Sequence, residues 1–489
     1  MRKLEELEFD NTYARLPEAF YERILPTPFS NPHLVSFNPD AAKLIDLDPN
    51  ESARQELVEY MCGKEILPGA EPIAMLYTGH QFGVYNRRLG DGRAILLGEV
   101  RNKSGEKWDL HLKGAGRTRF ARRFDGRSVL RSTIREYLCS EAMHHLGIPT
   151  TRALCITGSD EKVQRETTET GAMLLRMAPT HVRFGSFEAF YYTAQKEHLK
   201  QLADYVIYHH FPHLEDTEDK YQHFLSEVVI RTARLIARWQ AVGFAHGVMN
   251  TDNMSILGIT LDYGPFGFMD EYNPSFKLNH TDHIGRYVFN KQPDVAYWNL
   301  ECLAKTFSPL ISKEQAEEAL NDFDTAFTEH YMELMREKVG FKQQMKEDKT
   351  LLDQLLNILE ANQIDYTNFF RALGNFKLKA EGNNTALRDL VNHNEQFDGW
   401  LKQYRERLSA EQSDDEERKL HMDKVNPKYV LRNYIAQKAI IDAVEFNDYS
   451  EIECQLKLFR NPYEEQPGME EYTAPPPDWS KHLVISCSS

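Results

Sequence analysis

The string His246-Gly247-Val248-Met249-Asn250-Thr251-Asp252-Asn253, followed by Leu261-Asp262-Tyr263-Gly264, carries the oxygens that phosphate chemistry requires. In phosphotransferases a histidine-led loop follows a long helix and ends in an asparagine that binds metal. A strand then brings an Asp-x-Gly aspartate to the same ion. Asn253 and Asp262 occupy those two places, and their hard oxygens suit magnesium or manganese. An isolated Asp-Tyr-Gly is an ordinary turn; its place after this loop favours the metal role. One position departs from the pattern. Kinases put the aspartate that accepts the hydroxyl proton five residues before the asparagine, and that position holds Val248. Either the domain is inactive or the base lies elsewhere, and Asp252 is the nearest carboxylate.

A second constellation is Lys113 with Glu136. A strand lysine that holds phosphates and a helix glutamate that positions it are a kinase pairing. Thr133-x-x-Glu136 also reads as a capping box, in which Glu136 serves a backbone amide at the helix start. Both roles remain open at this level. The third is a set of arginines in an otherwise acidic chain. Seven lie between Arg117 and Arg135: Arg117, Arg119, Arg122, Arg123, Arg127, Arg131 and Arg135, with Asp125-Gly126 among them. Arg176 and Arg183 flank a break at Pro179, and Gly90-Asp91-Gly92-Arg93 precedes a strand. Guanidinium forks match phosphate oxygens and keep their charge. Some must serve as surface ion pairs, but a basic cluster bordering Lys113 is best explained by a polyphosphate. Single-stranded nucleic acid is disfavoured, because only Phe120 and Phe124 stand among the arginines, too few rings to stack a run of bases.

The elements that must position these residues follow from spacing. Arg93–Val100 is a compact apolar run, and Asn102-Lys103-Ser104-Gly105 is turn chemistry. Trp108, Leu110 and Leu112 alternate with Asp109, His111 and Lys113, so a strand puts Lys113 on its polar face. Ile134, Leu138, Ala142 and Leu146 recur at helical spacing, with Gly147 and Pro149 ending the helix. Strands are expected at Thr151–Thr157 and Gly171–Met177. A long amphipathic helix is expected over Tyr221–Val242, and helices over Val295–Phe307 and Gln315–Val339. Glu411–Arg418 reads as a solvated charged run. The fold class this order gives is α+β: a small β-rich N-lobe and a larger helical C-lobe in a bilobal, protein-kinase-like arrangement. The expected divisions are an N-terminal extension over 1–70 that wraps a lobe, the N-lobe over 71–180, the C-lobe over 181–345, and a helical C-terminal region and tail over 346–489.

The 489 residues exceed what one small core accommodates. The 41% hydrophobic and 27% charged content is that of a globular chain. A net charge of −16 disfavours non-specific nucleic-acid binding. The start Met1-Arg2-Lys3-Leu4-Glu5-Glu6 has no apolar segment, and no run approaches the ~18 apolar residues of a membrane helix. The six cysteines, Cys62, Cys139, Cys155, Cys302, Cys454 and Cys487, show no paired or zinc-like spacing. The expectation is a cytoplasmic protein with no membrane or nucleic-acid partner.

The chain resembles the selenoprotein O family, also called the YdiU family, of protein adenylyltransferases. Carrying the resemblance are Tyr77-Thr78-Gly79-His80-Gln81-Phe82-Gly83, Leu89-Gly90-Asp91-Gly92-Arg93, His111-Leu112-Lys113-Gly114-Ala115-Gly116, Phe124-Asp125-Gly126-Arg127, the His246–Ser255 string and Asp262-Tyr263-Gly264-Pro265. The resemblance implies a kinase-like fold that binds ATP flipped, so that the α-phosphate faces the acceptor. AMP would join a Ser, Thr or Tyr hydroxyl of a protein and pyrophosphate would leave. It implies Asp252 as proton acceptor, and Asn253 and Asp262 as ligands of Mg2+ or Mn2+. Gly90, Gly92, Arg93, Lys113, Asp125, Gly126, Arg176, Arg183 and Asp262 would contact the nucleotide, with Glu136 positioning Lys113. Val248 then fits, because a reversed nucleotide moves the reacting phosphorus toward a different base. Some members end in Cys-x-x-selenocysteine or a similar pair; here Ser489 follows Cys487 by two residues, and a free or transiently modified Cys487 thiol is expected. Rival readings are a protein or small-molecule kinase, UMP transfer from UTP at the same site, and a nucleotide-binding pseudokinase module.

Overall fold

A computed structural model describes residues 1–379, 384–391 and 395–483. The apolar run and the alternating run form an antiparallel hairpin, Ala94–Arg101 with Lys107–Lys113. Its turn is held by the Asn102 side chain, which accepts from the amides of Ser104 and Glu106. Two longer strands, Arg152–Gln164 and Thr168–Ala178, extend the sheet, and Thr168–Ala178 lies against Lys107–Lys113 with Arg176 opposite His111 and Leu174 opposite Lys113. The chain is thus mixed α and β, with an antiparallel main sheet.

Residues 1–70, expected as an extension that wraps a lobe, also supply strands: Tyr21–Arg23 pairs with Ile73–Met75 at one edge, and His33–Phe37 pairs with Arg152–Gln164 at the other. Leu4, Ile45, Leu57 and Met61 of this segment cover one face of the sheet, against Leu110, Leu112 and Leu175. The helix Leu130–His145 covers the other face through Ile134, Leu138 and Ala142. Asp109, His111 and Lys113 lie opposite the leucines as the period of two requires, yet all three are buried. Buried polar groups need partners, and those partners make the site described below.

The long helix Lys220–Val242 stops at Gly243, whose φ of 74° is the left-handed C-cap that glycine takes readily. Gln292–Thr306 and Lys313–Lys338 pack beside it. A further helical core forms around Leu355, Phe369, Trp400 and Tyr404. The helices Asn433–Glu445 and Ser450–Phe459 then return to the main core, where Ile435, Ala439 and Ile452 meet the residues of Leu130–His145. The charged run Glu411–Arg418 is not wholly solvated: Arg418 is fully buried, and the Glu411 carboxylate is buried against Arg407 at 2.8 Å. Among the described residues no helix is long and apolar enough to cross a membrane. Cys62, Cys139, Cys155, Cys302 and Cys454 are free thiols, and Cys487 lies outside the described residues.

Candidate active site

The partners of the buried strand face are charged. Lys113 Nζ donates to Glu136 Oε2 at 2.5 Å. The capping box is not formed: the helix already begins at Leu130, and the Thr133 hydroxyl donates back to the Val129 carbonyl at 2.9 Å. Arg176, two residues along its strand from the position opposite Lys113, donates to Glu136 Oε1 at 3.2 Å and to Asp262. Arg183 donates to Asp262 Oδ2 and to the Asp252 carbonyl, each at 2.8 Å, and its guanidinium lies 4.3 Å from the centre of the Tyr77 ring. Lys113 Nζ also reaches Asp262 Oδ1 at 3.4 Å. Three cations therefore converge on two carboxylates, which leaves one positive charge uncompensated within the set. Burial pushes the Asp262 carboxyl up, but Arg176, Lys113 and Arg183 outweigh it and hold it well below the usual range.

Behind the arginines stands a second layer. Arg176 Nε donates to His111 Nδ1 at 3.0 Å. An arginine can only donate, so the His111 proton sits on Nε2, which donates to Asp91 Oδ2 at 2.9 Å. Burial, reinforced by Arg176, keeps this imidazole neutral by lowering its pKa. Asp91 Oδ2 also accepts from the Met75 amide at 3.1 Å. The carboxylate between Gly90 and Gly92 thus fixes the tilt of Arg176 through His111. The sequence reading placed Gly90 and Gly92 in the site without finding this relay; its signal is the His111-x-Lys113 alternation on one strand face.

The loop after Gly243 carries the remaining oxygens. Thr251–Asn253 forms one 3-10 turn. Asn253 Nδ2 donates to the Val248 carbonyl at 2.9 Å, which commits the amide nitrogen and leaves Oδ1 for another ligand. Asp252 is 7% exposed; Gln81 Nε2 donates to its Oδ2 at 3.3 Å, and its Oδ1 has no hydrogen-bond partner. Burial pushes this carboxyl up to about 7, against the pull of Arg183. The short hairpin Gly79–Gln81 with Val84–Asn86 clamps the loop. The His80 amide donates to Thr251 Oγ1 at 2.7 Å, and the Phe82 amide donates to Asn250 Oδ1 at 3.2 Å and to the Tyr287 hydroxyl at 2.9 Å. Gln81 and Tyr77 stood in the Tyr77–Gly83 string without a role of their own: the strand Gly79–Gln81 is too short to show a period, and Tyr77 lies outside it.

The glycine loop and the loop ending at Gly126 pack on each other. A Cβ on Gly90, at φ 125°, would lie 2.6 Å from the Phe120 ring, and one on Gly126, at φ 75°, would lie 2.2 Å from the Gly116 backbone. The Arg93 carbonyl accepts from the Gly114 amide at 2.7 Å, and Arg93 lines a small cavity with Lys113, Glu136 and Gly264. Asp125 is exposed and paired with Arg165 at 2.8 Å. The seven arginines do not act as one cluster. Arg127 and Arg131 pair with Glu161 and Glu169, and Arg135 packs over Phe266 and donates to its carbonyl. Arg119, Arg122 and Arg123 face an outer groove instead. The cations that converge on Asp262 are Lys113, Arg176 and Arg183.

Fixed cations around hard oxygens, with a buried near-neutral carboxylate beside them, suit a transferase that handles a metal–polyphosphate. The chain belongs to the family described as "Protein adenylyltransferase SelO", whose model matches residues 3–459. It is 56% identical to a protein nucleotidyltransferase YdiU of Myxococcus xanthus, over the full length of both chains. Relatives of the same description from Thioalkalivibrio sulfidiphilus and Thiobacillus denitrificans are 54% and 52% identical, again over both full lengths.

Proposed function

We propose that this chain transfers AMP from ATP to a Ser, Thr or Tyr hydroxyl of a protein and releases pyrophosphate. The observation that carries the reading is Asp252: a buried carboxylate beside Asn253 and within the field of Asp262 and Arg183, in a loop whose kinase base position is Val248. The acceptor hydroxyl gives its proton to Asp252 Oδ1, which has no competing hydrogen bond. The hydroxyl oxygen bonds to the α-phosphorus as the bond to the bridging oxygen of pyrophosphate breaks. Lys113, Arg176 and Arg183 stabilise the charge that collects on the leaving group. Asn253 Oδ1 and the Asp262 carboxylate would hold Mg2+ or Mn2+, which supplies Lewis-acid neutralisation of phosphate oxygens. With ATP bound, its phosphates would take over the guanidinium groups that grip Asp262, leaving that carboxylate able to hold the ion. Glu136 keeps Lys113 in place throughout. Gly90, Gly92, Arg93, Asp125 and Gly126 would be further nucleotide contacts.

In this reading the sheet with its helix is a kinase-like N-lobe over about 71–180 and the helical half a C-lobe over about 181–345, in a cytoplasmic enzyme. The strand lysine paired with a helix glutamate, and the catalytic loop that follows a long helix, support it. The test supplies ATP labelled at the α- or the γ-phosphate, Mg2+ or Mn2+, and a protein acceptor. Label from the α position alone on the acceptor is expected. Label from the γ position alone makes the chain a kinase, and bound ATP with neither label makes it a pseudokinase; UTP labelled at the α-phosphate, run in parallel, tests UMP transfer.

A further inference from the structure

The outer arginines form a site of their own. Arg87, Arg88, Arg119, Arg122 and Arg123 line an open groove of about 730 Å³ floored by Leu76, Leu89, Phe120 and Phe124. All five are exposed, and none of their guanidinium groups pairs with a carboxylate among the described residues. That is unexpected in a chain of net charge −16, where neighbouring Arg127, Arg131 and Arg165 all have carboxylate partners. Glu22 accepts from the Arg119 amide at 2.9 Å but pairs with none of the five guanidinium groups; like charges brought together without ion pairs repel one another, and an anionic ligand removes that cost.

The groove's position indicates which anion. Arg87 and Arg88 follow directly on Asn86, the end of the hairpin whose Gln81 donates to Asp252. Asn86 pairs with Gly79, where a Cβ would lie 2.9 Å from Asp252 Oδ1, so Arg87 leaves the hairpin next to the proposed base, where an acceptor hydroxyl must arrive. The cations that would serve the nucleotide phosphates lie deeper, at Lys113, Arg176 and Arg183. We propose that the groove binds an acidic polypeptide segment flanking the acceptor residue, with glutamates or aspartates on the arginines and an apolar side chain on Phe124, which is 53% exposed. This proposal rests on the AMP-transfer reading. A nucleic acid fits less well: of the rings lining the groove only Phe124 is exposed, too few to stack successive bases, and the chain carries a net charge of −16.

The test uses the full chain, ATP, Mg2+ and two synthetic peptides with one tyrosine, flanked by glutamates in one and glutamines in the other. The glutamate peptide is expected to show a KM about tenfold lower, the effect of a few exposed charge contacts, with the gap closing at high salt. R87E/R88E is expected to erase the preference without changing KM for ATP, and the milder R87Q/R88Q to fall between. Equal KM values for the two peptides overturn the proposal. A rise in KM for ATP matching that for the peptide also overturns it and assigns the groove to the nucleotide. Stronger competition by oligouridylate than by the glutamate peptide overturns it in favour of nucleic acid. Fluorescence anisotropy of the labelled peptides reads binding without turnover. A charge preference in binding with no AMP transfer keeps the groove and removes the enzyme reading; transfer with no preference does the reverse.

Discussion

Replacing Asp262 by Asn removes the carboxylate that Lys113, Arg176 and Arg183 share. The side chain keeps its size and loses its charge, so three cations face one carboxylate instead of two. Glu136 still holds Lys113 at 2.5 Å and Arg176 at 3.2 Å. Arg183 keeps only neutral partners, the carbonyls of Asp252 and His181 and the face of Tyr77. Breaking a buried ion pair from one side costs roughly 3–5 kcal/mol. Because Glu136 keeps two of the three cations, the lower end, about 3 kcal/mol, is expected. At about 2 °C per kcal/mol for a long chain, the Tm of D262N falls by about 6 °C. Scanning calorimetry with and without inorganic pyrophosphate checks the cause as well as the size. Pyrophosphate oxygens replace the missing carboxylate, so the anion raises the Tm of D262N by more than that of the parent. A D262N protein that melts with the parent, or equal stabilisation of the two by pyrophosphate, refutes the account of the cleft. Metal-dependent transfer by D262N is expected to be lost.

Asp252→Asn is expected to lower kcat by about 10²–10⁴, the usual contribution of a general base, with little change in KM for ATP. Only the carboxylate accepts a proton, so the parent rate rises with pH through about 7 and falls below it, and a pH–rate profile of D252N lacks that limb. Lys338 is buried against Tyr366 and Phe370 without a carboxylate partner among the described residues, and burial pushes its ammonium down to about 7. A lysine whose folded value lies below its unfolded one binds fewer protons when folded between about pH 7 and 10.5, so stability rises with pH across that window. K338M is expected to be more stable at pH 7 by about 1–4 kcal/mol and to lose that rise, as read from urea midpoints at pH 7 and pH 10.

Local spacing determined a good part of this protein. The alternation around Lys113, the helical recurrence from Ile134 to Leu146 and the long helix before Gly243 each appear where their periods put them, because backbone geometry fixes side-chain direction over a few residues. Asn253 and Asp262 were singled out by motif order rather than by spacing, and the metal role expected of them belongs to the proposed function. What the sequence left open was which polar group meets which. Glu136 had two roles on offer, and the helix starting three residues before Thr133 chose the ion pair over the cap. Seven neighbouring arginines looked alike, yet carboxylates from distant strands claimed some and left others facing a groove. The grip of Arg176 and Arg183 on Asp262 spans 86 and 79 residues, and Gln81 reaches Asp252 across 171. Such pairings depend on how the sheet, the short hairpin and the loop close over one another, and burial then makes each pairing obligatory, since a charge without a partner there is too costly to keep.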